Sequence, residues 1–380
     1  MTARFLIALS PLALLAASCS GPAAGDSPAI VHKQEGVFTV EELGRFEEPW
    51  AMAVLPHGDL LVTEKAGKIK LRRSDGTIQD IPLPVPVDYC GQGGLGDIVL
   101  SPDFAQDGRF YLSWAAKGPN DTRGAEVGRG TLVFDGEIAR IADFRPFWMQ
   151  VPKVTGRGHY SHRMAISPDG KYLFIASGER QKFTPAQDMN TNLGKIIRLE
   201  VAGEAVPADN PFAAQGGIAA TVWTLGHRNI LGLQFAPDGR LWEIEHGPAG
   251  GDELNLVRPG ANYGWPVVSE GRHYNGQYIP HHDTHPEFAA PALYWNPVIA
   301  PGGMIFYTGA MWPEWRGQAL IAALGGPGGL VRVRIDGDKA VEEARYPLGN
   351  RIRAVTQADD GSLLVLEDGP GARLLRLTRK

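Results

Sequence analysis

The sequence predicts an all-β fold made of six repeats, on three observations. Turns are frequent, with 48 Gly and 29 Pro in the chain. No segment holds a 3.6-residue apolar period over several turns, as a long helix would. A phrase in which a Pro/Asp/Gly turn leads into a short apolar strand also recurs: "LPHGDLLVTEKAGKIKLRR", "SPDFAQDGRFYLSW", "SPDGKYLFIASGER", "APDGRLWEIEHGP" and "ADDGSLLVLEDGPGARLLRL". Each reads as turn, strand, turn, strand. Multi-strand repeats spaced about fifty to seventy residues apart are the signature of a β-propeller, whose blades cannot bury their faces alone. A less regular unit, "MIFYTGAMWPEWRGQALIAALGGPGGLVRVRI", fits between the fourth and fifth phrases and completes a six-bladed propeller. A β-sandwich would not need the same phrase so often. Propellers place ligands at one mouth of the central channel, so polar residues in the loops between strands are the candidate site.

The chain opens with Arg4, an apolar run from Phe5 to Ala17 broken only by Ser10 and Pro11, then Ser18 and Cys19. This is a signal peptide, too short to span a bilayer. Ala16, Ala17 and Ser18 ahead of Cys19 also suit lipoprotein processing, in which the cysteine becomes the lipidated first residue. The expected organisation is therefore a leader over 1–18, a flexible linker over 19–36 and the propeller over 37–380. The expected location is the periplasm, with an N-terminal lipid anchor to the outer membrane if Cys19 is modified. Without the leader only Cys90 remains, so no intramolecular disulfide forms and the fold rests on burial, which a chain of this length can supply. The net charge of -5 and the lack of Lys/Arg runs argue against a nucleic-acid partner and leave a small molecule as the expected ligand.

Along the chain, "GQGGLG" (Gly91 to Gly96) satisfies G-x-G-x-x-G, but the dinucleotide motif needs a helix next, and a short strand, "DIVL", follows. Its glycines instead let backbone approach a ligand while Gln92 faces the channel. His159 and His162 sit at a blade edge before a strand that Arg163 enters. Glu179, at the far end of that hairpin, is placed to accept a hydrogen bond from an imidazole, fixing its tautomer and raising its basicity. His227, Arg228 and Asn229 lie in a polar loop; Arg228 is either a surface ion-pair partner or, beside Asn229, a contact for an oxyanion or quinone oxygen. Gly247-Pro248 can expose carbonyl oxygens to a hard cation such as calcium. His281, His282, Asp283 and His285 lie between Pro280 and Pro286 without a common face or paired spacing, which favours a solvated insertion loop over a zinc site.

Taken together, "LGHRN…GL…PDG.LW..EHGP…DE.N…G.NYGWP" and the segment around His159 resemble the glucose/sorbosone dehydrogenase family of soluble quinoproteins, from about Trp50 to the C-terminus. The resemblance implies a six-bladed propeller that binds pyrroloquinoline quinone (PQQ) with Ca2+ and oxidises the anomeric hydroxyl of aldoses to lactones. By position it implies that His159 is the catalytic base, with Glu179 where the family usually has Asp. Gln92 and Arg228, with Asn229 beside them, would meet the reactive quinone carbonyls. Gly247 and Pro248 would be carbonyl ligands of the cofactor calcium, and Arg351 and Arg353 would hold the cofactor's carboxylates. Glu253 and Tyr263 match positions near a second, structural calcium. Three positions depart from the family pattern: His162 stands where Gly is typical, no Lys occurs in "ALGGPGGL", and Val298 replaces a Thr or Ser.

The resulting expectation is a quinoprotein in which His159 takes the C1 hydroxyl proton as hydride moves to the quinone, polarised by calcium and Arg228. Electrons would pass to a quinone or small redox protein in the same compartment. Two rivals remain on the sequence alone: a sugar-binding propeller without redox chemistry, which the missing Lys and Val298 favour, and a calcium-dependent lactonase, which would need Glu179, Glu245 and Asp252 at the channel mouth.

Overall fold

A computed structural model of the chain describes residues 36–202 and 205–380. The predicted signal peptide, Cys19 and all but the last residue of the linker lie outside the described residues. Six four-stranded antiparallel sheets are arranged in a ring, as the repeats predict. Blades 1 to 5 are consecutive meanders over residues 49–81, 95–149, 161–225, 230–295 and 301–347. Blade 6 takes three strands from the C-terminal end, between Ile352 and Arg379, and its outer strand from Phe38–Phe46, which pairs Phe38 with Arg379 and Phe46 with Ala372. The two ends of the propeller domain are thus zipped together, a closure the repeated phrase did not reveal. The innermost strand of each blade touches the next around the ring, and the last touches the first.

The repeated phrase is the turn between the first and second strand of a blade. In five blades one backbone bond closes it: Leu55 N–H to Asp59 O (2.8 Å), Ser101 to Arg109 (2.8 Å), Ser167 to Tyr172 (2.9 Å), Ala236 to Arg240 (2.8 Å) and Ala358 to Ser362 (2.9 Å). The Asp of the phrase accepts the N–H two residues on, as Asp238 does from Arg240 (3.0 Å) and Asp360 from Ser362 (3.0 Å). The following glycine takes positive φ, 83° at both Gly239 and Gly361, which a side chain would resist. Blade 5 lacks the phrase because its turn is a longer loop ending at Gln318, filled by Trp312 and Trp315 stacked 4.8 Å apart.

Blades are held by apolar faces. Leu61, Ile69 and Leu71 of blade 1 pack with Leu95, Phe110 and Leu112 of blade 2, and Trp242 and Ile244 of blade 4 pack with Phe306 and Ile321 of blade 5. Each such fully buried aliphatic side chain contributes about 1.5–3 kcal/mol. The channel is plugged by Arg163 of blade 3. It pairs with Asp97 of blade 2 (3.0 Å), donates to Leu231 O of blade 4 (2.7 Å) and Gly302 O of blade 5 (2.5 Å), and lies 3.8 Å over the Trp50 ring of blade 1. In a meander, the first-to-second turn faces one side of the ring, and the second-to-third turn and the link to the next blade face the other. By this rule the site residues picked out by sequence fall on the side opposite the repeated phrase, except Tyr263, which belongs to the long loop between the third and fourth strands of blade 4.

Candidate functional site

His159 lies in the link from blade 2 to blade 3. Its φ is 49°, and Ser161 and His162 have φ of 57° and 56°. Three non-glycine residues in the left-handed region need outside support. The N–H of His159 donates to Gln92 Oε1 (2.7 Å), its carbonyl accepts from Arg180 (3.2 Å), and Ser161 Oγ accepts from the N–H of Ile230 (2.9 Å). Gly178 is required, because a Cβ there would sit 2.0 Å from His159 O. His159 Nδ1 is hydrogen-bonded to Glu179 Oε1. A carboxylate only accepts, so Nδ1 carries the proton and Nε2 is the free lone pair. Burial, and secondarily Arg228, lower the His159 pKa against the raising effect of Glu179, so the imidazole is neutral at neutral pH. Burial opposes the charge on Glu179, but the bond from His159, the N–H of Phe183 and nearby Arg228 outweigh it and keep the carboxyl ionised.

His159 lines a cavity of about 260 Å³ together with Gln92, Arg228, Asn229, Arg351 and Arg353, so the structure brings together six of the predicted residues around one space, with Glu179 behind the base. Arg228 is fixed through its backbone N–H to Glu245 Oε2 (2.6 Å) and through Nη1 to His246 O (3.0 Å), while its buried Nε has no protein partner among the described residues. The ion-pair reading of Arg228 is thereby set aside. Arg351 and Arg353 share Asp368, at 2.9 and 2.8 Å, and a single carboxylate leaves most of their N–H groups free. Asn229 turns its side-chain oxygen to Ser161 (3.3 Å) and so braces the His159 segment. Gln92 does the same, and the strand Leu95–Leu100 follows the glycine motif in place of a helix.

The cavity is also lined by residues that sequence reasoning did not pick, among them Lys65, Trp50, His246 and Tyr274. Lys65, paired with Glu48 (3.2 Å), supplies a lysine from blade 1 in the cavity where the loop 323–330 offers none. The signal was in the repeat: aligned on the second strand, "VTEKAG", "ASGERQ" and "EIEHGP" put Lys65, Glu179 and His246 in equivalent turns on one rim. His162 does not share a proton with His159. Its Nδ1 meets Ser113 Oγ (2.8 Å), its ring stacks on Trp50 at 4.9 Å, and burial pushes its pKa down to about 3. Gly96 makes room, since a Cβ there would lie 1.9 Å from the ring. His162 is thus part of the cavity floor. Val298 lines a separate apolar pocket with residues 325–331, outside this cavity.

Behind Arg228, Gly247 and Pro248 border a narrow cleft with Glu245, Glu253 and Tyr263, of about 10 Å³, the size of one water or ion. Glu243, Glu245 and Glu253 are all buried. Burial raises the pKa of Glu243 and Glu253, and Glu245 raises both further. His227, Glu243 and Glu245 present ligand atoms within 4.8 Å of one another. Two buried carboxylates, Glu245 and Glu253, lining an ion-sized gap with Glu243 close to Glu245 fit a hard divalent cation. Tyr263 offers only its carbonyl, already accepting from His282 (3.1 Å), because its hydroxyl donates to Leu256 O (2.6 Å). The insertion loop differs from the solvated one expected: His282 is buried, and Glu270 takes Nδ1 of both His281 (2.7 Å) and His282 (3.0 Å).

The profile of the family described as Glucose / Sorbosone dehydrogenase matches residues 46–376. The chain belongs to the glucose/sorbosone dehydrogenase family. Aldose sugar dehydrogenase YliI of Escherichia coli (strain K12) is 38% identical over 345 residues, covering 88% of this chain and 91% of the relative. A crystal structure of a glucose dehydrogenase superposes with TM-score 0.85 at 40% identity, over 90% of this chain and 100% of that one. The PQQ-bound form of aldose sugar dehydrogenase from Streptomyces coelicolor gives TM-score 0.71 at 26% identity, over 90% and 98%. Within this glucose/sorbosone dehydrogenase chain, Gly96 and Trp50 accommodate the His162 ring, and Lys65 lines the cavity that the loop 323–330 borders through Leu324.

Proposed function

We propose that this chain is an exported, PQQ- and calcium-dependent dehydrogenase that oxidises the anomeric hydroxyl of aldoses to lactones. The observation that carries the reading is a neutral His159, fixed by Glu179, facing the same cavity as Lys65, Arg228, Arg351 and Arg353. No carboxylate is among that cavity's lining residues. Four cations around one space suit a polyanionic ligand, and PQQ is a planar quinone bearing three carboxylates. The orphaned Nε of Arg228 supplies a donor still without an acceptor. Arg351, Arg353 and Lys65 would hold carboxylates, Gln92 and Arg228 would meet the quinone carbonyls, and the carbonyls of Gly247 and Pro248 would face its calcium. Glu253 and the carbonyl of Tyr263 would serve a second, structural calcium.

When bound, the quinone supplies an acceptor for the hydride of sugar C1. The protein's own part is proton and charge control. Nε2 of His159 accepts the proton of the C1 hydroxyl, the resulting imidazolium is stabilised by Glu179, and the oxidised C1 becomes the lactone carbonyl. The electrons leave to a quinone or a small redox protein of the periplasm. The names of the E. coli and S. coelicolor relatives support the substrate class and the cofactor. A calcium-dependent lactonase would need Glu179, Glu245 and Asp252 in the cavity, and none of the three is among its lining residues; Glu245 borders the cleft behind Arg228 instead.

The test is to add PQQ and Ca2+ to the purified chain, then an aldose. Bleaching of the oxidised cofactor with one lactone formed per cofactor reduced is the expected result. Sugar binding without bleaching would replace this reading by the non-redox sugar-binding propeller.

A further inference from the structure

The link that carries His159 is held by a buried cation with no part in the chemistry above. Arg180 follows Glu179 in the chain and is fully buried. Its guanidinium donates to three main-chain carbonyls, from Nε to Gly158 O (3.0 Å), from Nη1 to Arg123 O (2.8 Å) and from Nη2 to Gly156 O (2.8 Å), and lies 3.7 Å over the Tyr160 ring. The backbone N–H of the same residue donates to His159 O (3.2 Å). Arg123 opens the third strand of blade 2, and Arg180 lies in the turn between the second and third strands of blade 3. One side chain therefore ties two blades to the link between them, on both sides of the base.

Such a hold is needed, because His159, Ser161, His162 and Arg180 itself have φ of 49°, 57°, 56° and 60°, a shape that non-glycine residues keep only where the surroundings enforce it. The planar fork of an arginine can reach carbonyls in several directions at once, and the point charge of a lysine cannot match it. Among the described residues no carboxylate pairs with this guanidinium: the oxygens of Glu179 are taken by His159 Nδ1 and by the N–H groups of Lys182 (2.5 Å) and Phe183 (2.6 Å). The positive charge of Arg180 is thus left to act on its surroundings. Burial is the largest influence lowering the His159 pKa; Glu179 opposes it, while Arg228 and Arg180 add to it. His246, whose own pKa burial pushes down to about 3, is the remaining titratable neighbour and carries no charge at neutral pH.

We infer that Arg180 is a positioning residue for the base: its guanidinium holds the link from Gly156 to Tyr160 in the shape that presents His159 to the cavity, and its unpaired charge stands behind the imidazole. The inference rests on His159 acting as the base in the oxidation proposed above. Arg180 is not among the residues that line the cavity, so it acts through His159 and not on a bound ligand. A purely structural cation would serve the fold equally well whatever the charge state and aim of the imidazole, and the two roles separate in kinetics.

The test compares wild type with Arg180→Lys, which keeps the charge and loses the fork, and with Arg180→Met, which loses both. In the PQQ- and calcium-loaded protein, kcat with glucose should fall about tenfold to a hundredfold in both variants, as for a misplaced catalytic group. KM for glucose, and the Kd for PQQ by fluorescence titration, should change by less than about twofold, since the loss is felt in the transition state. Removing a positive charge favours protonated His159, so the acid limb of kcat/KM should move to higher pH in Arg180→Met and stay in place in Arg180→Lys. Histidine NMR of the chain without PQQ should show the same shift in the titration of His159, with no turnover involved. Variants that lose thermal stability yet keep the wild-type kcat and acid limb would overturn the positioning role, as would a change confined to KM. If Arg180→Met does not fold, Arg180→Lys decides, and a wild-type kcat in it would overturn the inference. A His159 titration that moves in Arg180→Met, in a protein that oxidises no aldose, would instead overturn the oxidation and leave the tie between Arg180 and the imidazole standing.

Discussion

Glu179 accepts the Nδ1–H of His159 with one carboxylate oxygen, from the far end of the hairpin that His159 precedes. The pairing presents Nε2 as the base. Replacing His159 by Ala should lower aldose oxidation about 10²–10⁴-fold, the range for loss of a general base, with PQQ binding retained by fluorescence titration. Glu179→Gln should cost less. Because Glu179 raises the His159 pKa against burial, its loss lowers that pKa further, and the acid limb of kcat/KM should move to lower pH. A limb that moves to higher pH would show that Glu179 does not act on the base.

The two arginines that share Asp368 are unequal. The side chain of Arg353 is 14% exposed and that of Arg351 57%, so a charge-assisted bond from Arg353 is the less screened by water. Arg353→Ala should weaken PQQ binding about tenfold or more, and Arg351→Ala by less. Both should turn over normally at saturating cofactor, since contacts to remote carboxylates bind ground and transition states alike. Arg228→Ala, which removes the orphaned Nε from the cavity it shares with the base, should lower kcat. Titration of PQQ beside steady-state kinetics separates the two patterns.

The fold was legible because the Pro/Asp/Gly turn has a local mechanism, an Asp accepting the N–H two residues on and a glycine at positive φ, that repeats in the sequence wherever it repeats in space. Blade 5 was the least regular unit because Trp312 and Trp315 fill its turn instead. His159, Glu179 and Arg228 were legible from polar loops between apolar strands and from the family motif. Lys65 was missed because its one signal is its place in the repeat, in the turn equivalent to those of Glu179 and His246, and that place gains meaning only when blade 1 meets blade 6 around the ring.

His162 gives a pH signature in stability. Burial holds its folded pKa at about 3, against about 6.5 in an unfolded chain. Between those values the unfolded state binds the extra proton, so the stabilisation is complete above about pH 6.5 and is lost as pH falls towards about 3, at up to ~1.4 kcal/mol per pH unit. Urea unfolding of His162→Gln should show a shallower loss of stability than wild type from about pH 6 to pH 4. His162→Gly should keep far more turnover than His159→Ala while lowering Tm, because it removes the ring stacked on Trp50.

Asp97 and Arg163 should behave as a buried pair whose members fail separately. Asp97 also accepts the N–H of Met164 (2.9 Å), and Arg163 spans four other blades through its partners. Asp97→Ala leaves the guanidinium buried and uncompensated, a loss of about 3–5 kcal/mol. The urea midpoint should fall accordingly, with the m-value unchanged if the ring stays closed.

Calcium supplies the last test, because Glu243, Glu245 and Glu253 are buried together, and burial and the neighbouring Glu245 push the pKa of Glu243 and Glu253 up, a cost that a bound cation would remove. A cation that binds only the folded protein stabilises it by RT ln(1 + [L]/Kd), about 2.7 kcal/mol at a hundredfold excess over Kd. Chelation should therefore lower Tm, and Ca2+ added without PQQ should restore it through the structural site. Burial pushes the Glu253 pKa up to about 8 without a cation, so Glu253→Gln should change Tm little in chelator at neutral pH and should reduce the gain on adding Ca2+. A calcium response of the same size in Glu253→Gln would place the ion elsewhere, and no response in wild type would leave the acidic cluster protonated in the folded protein.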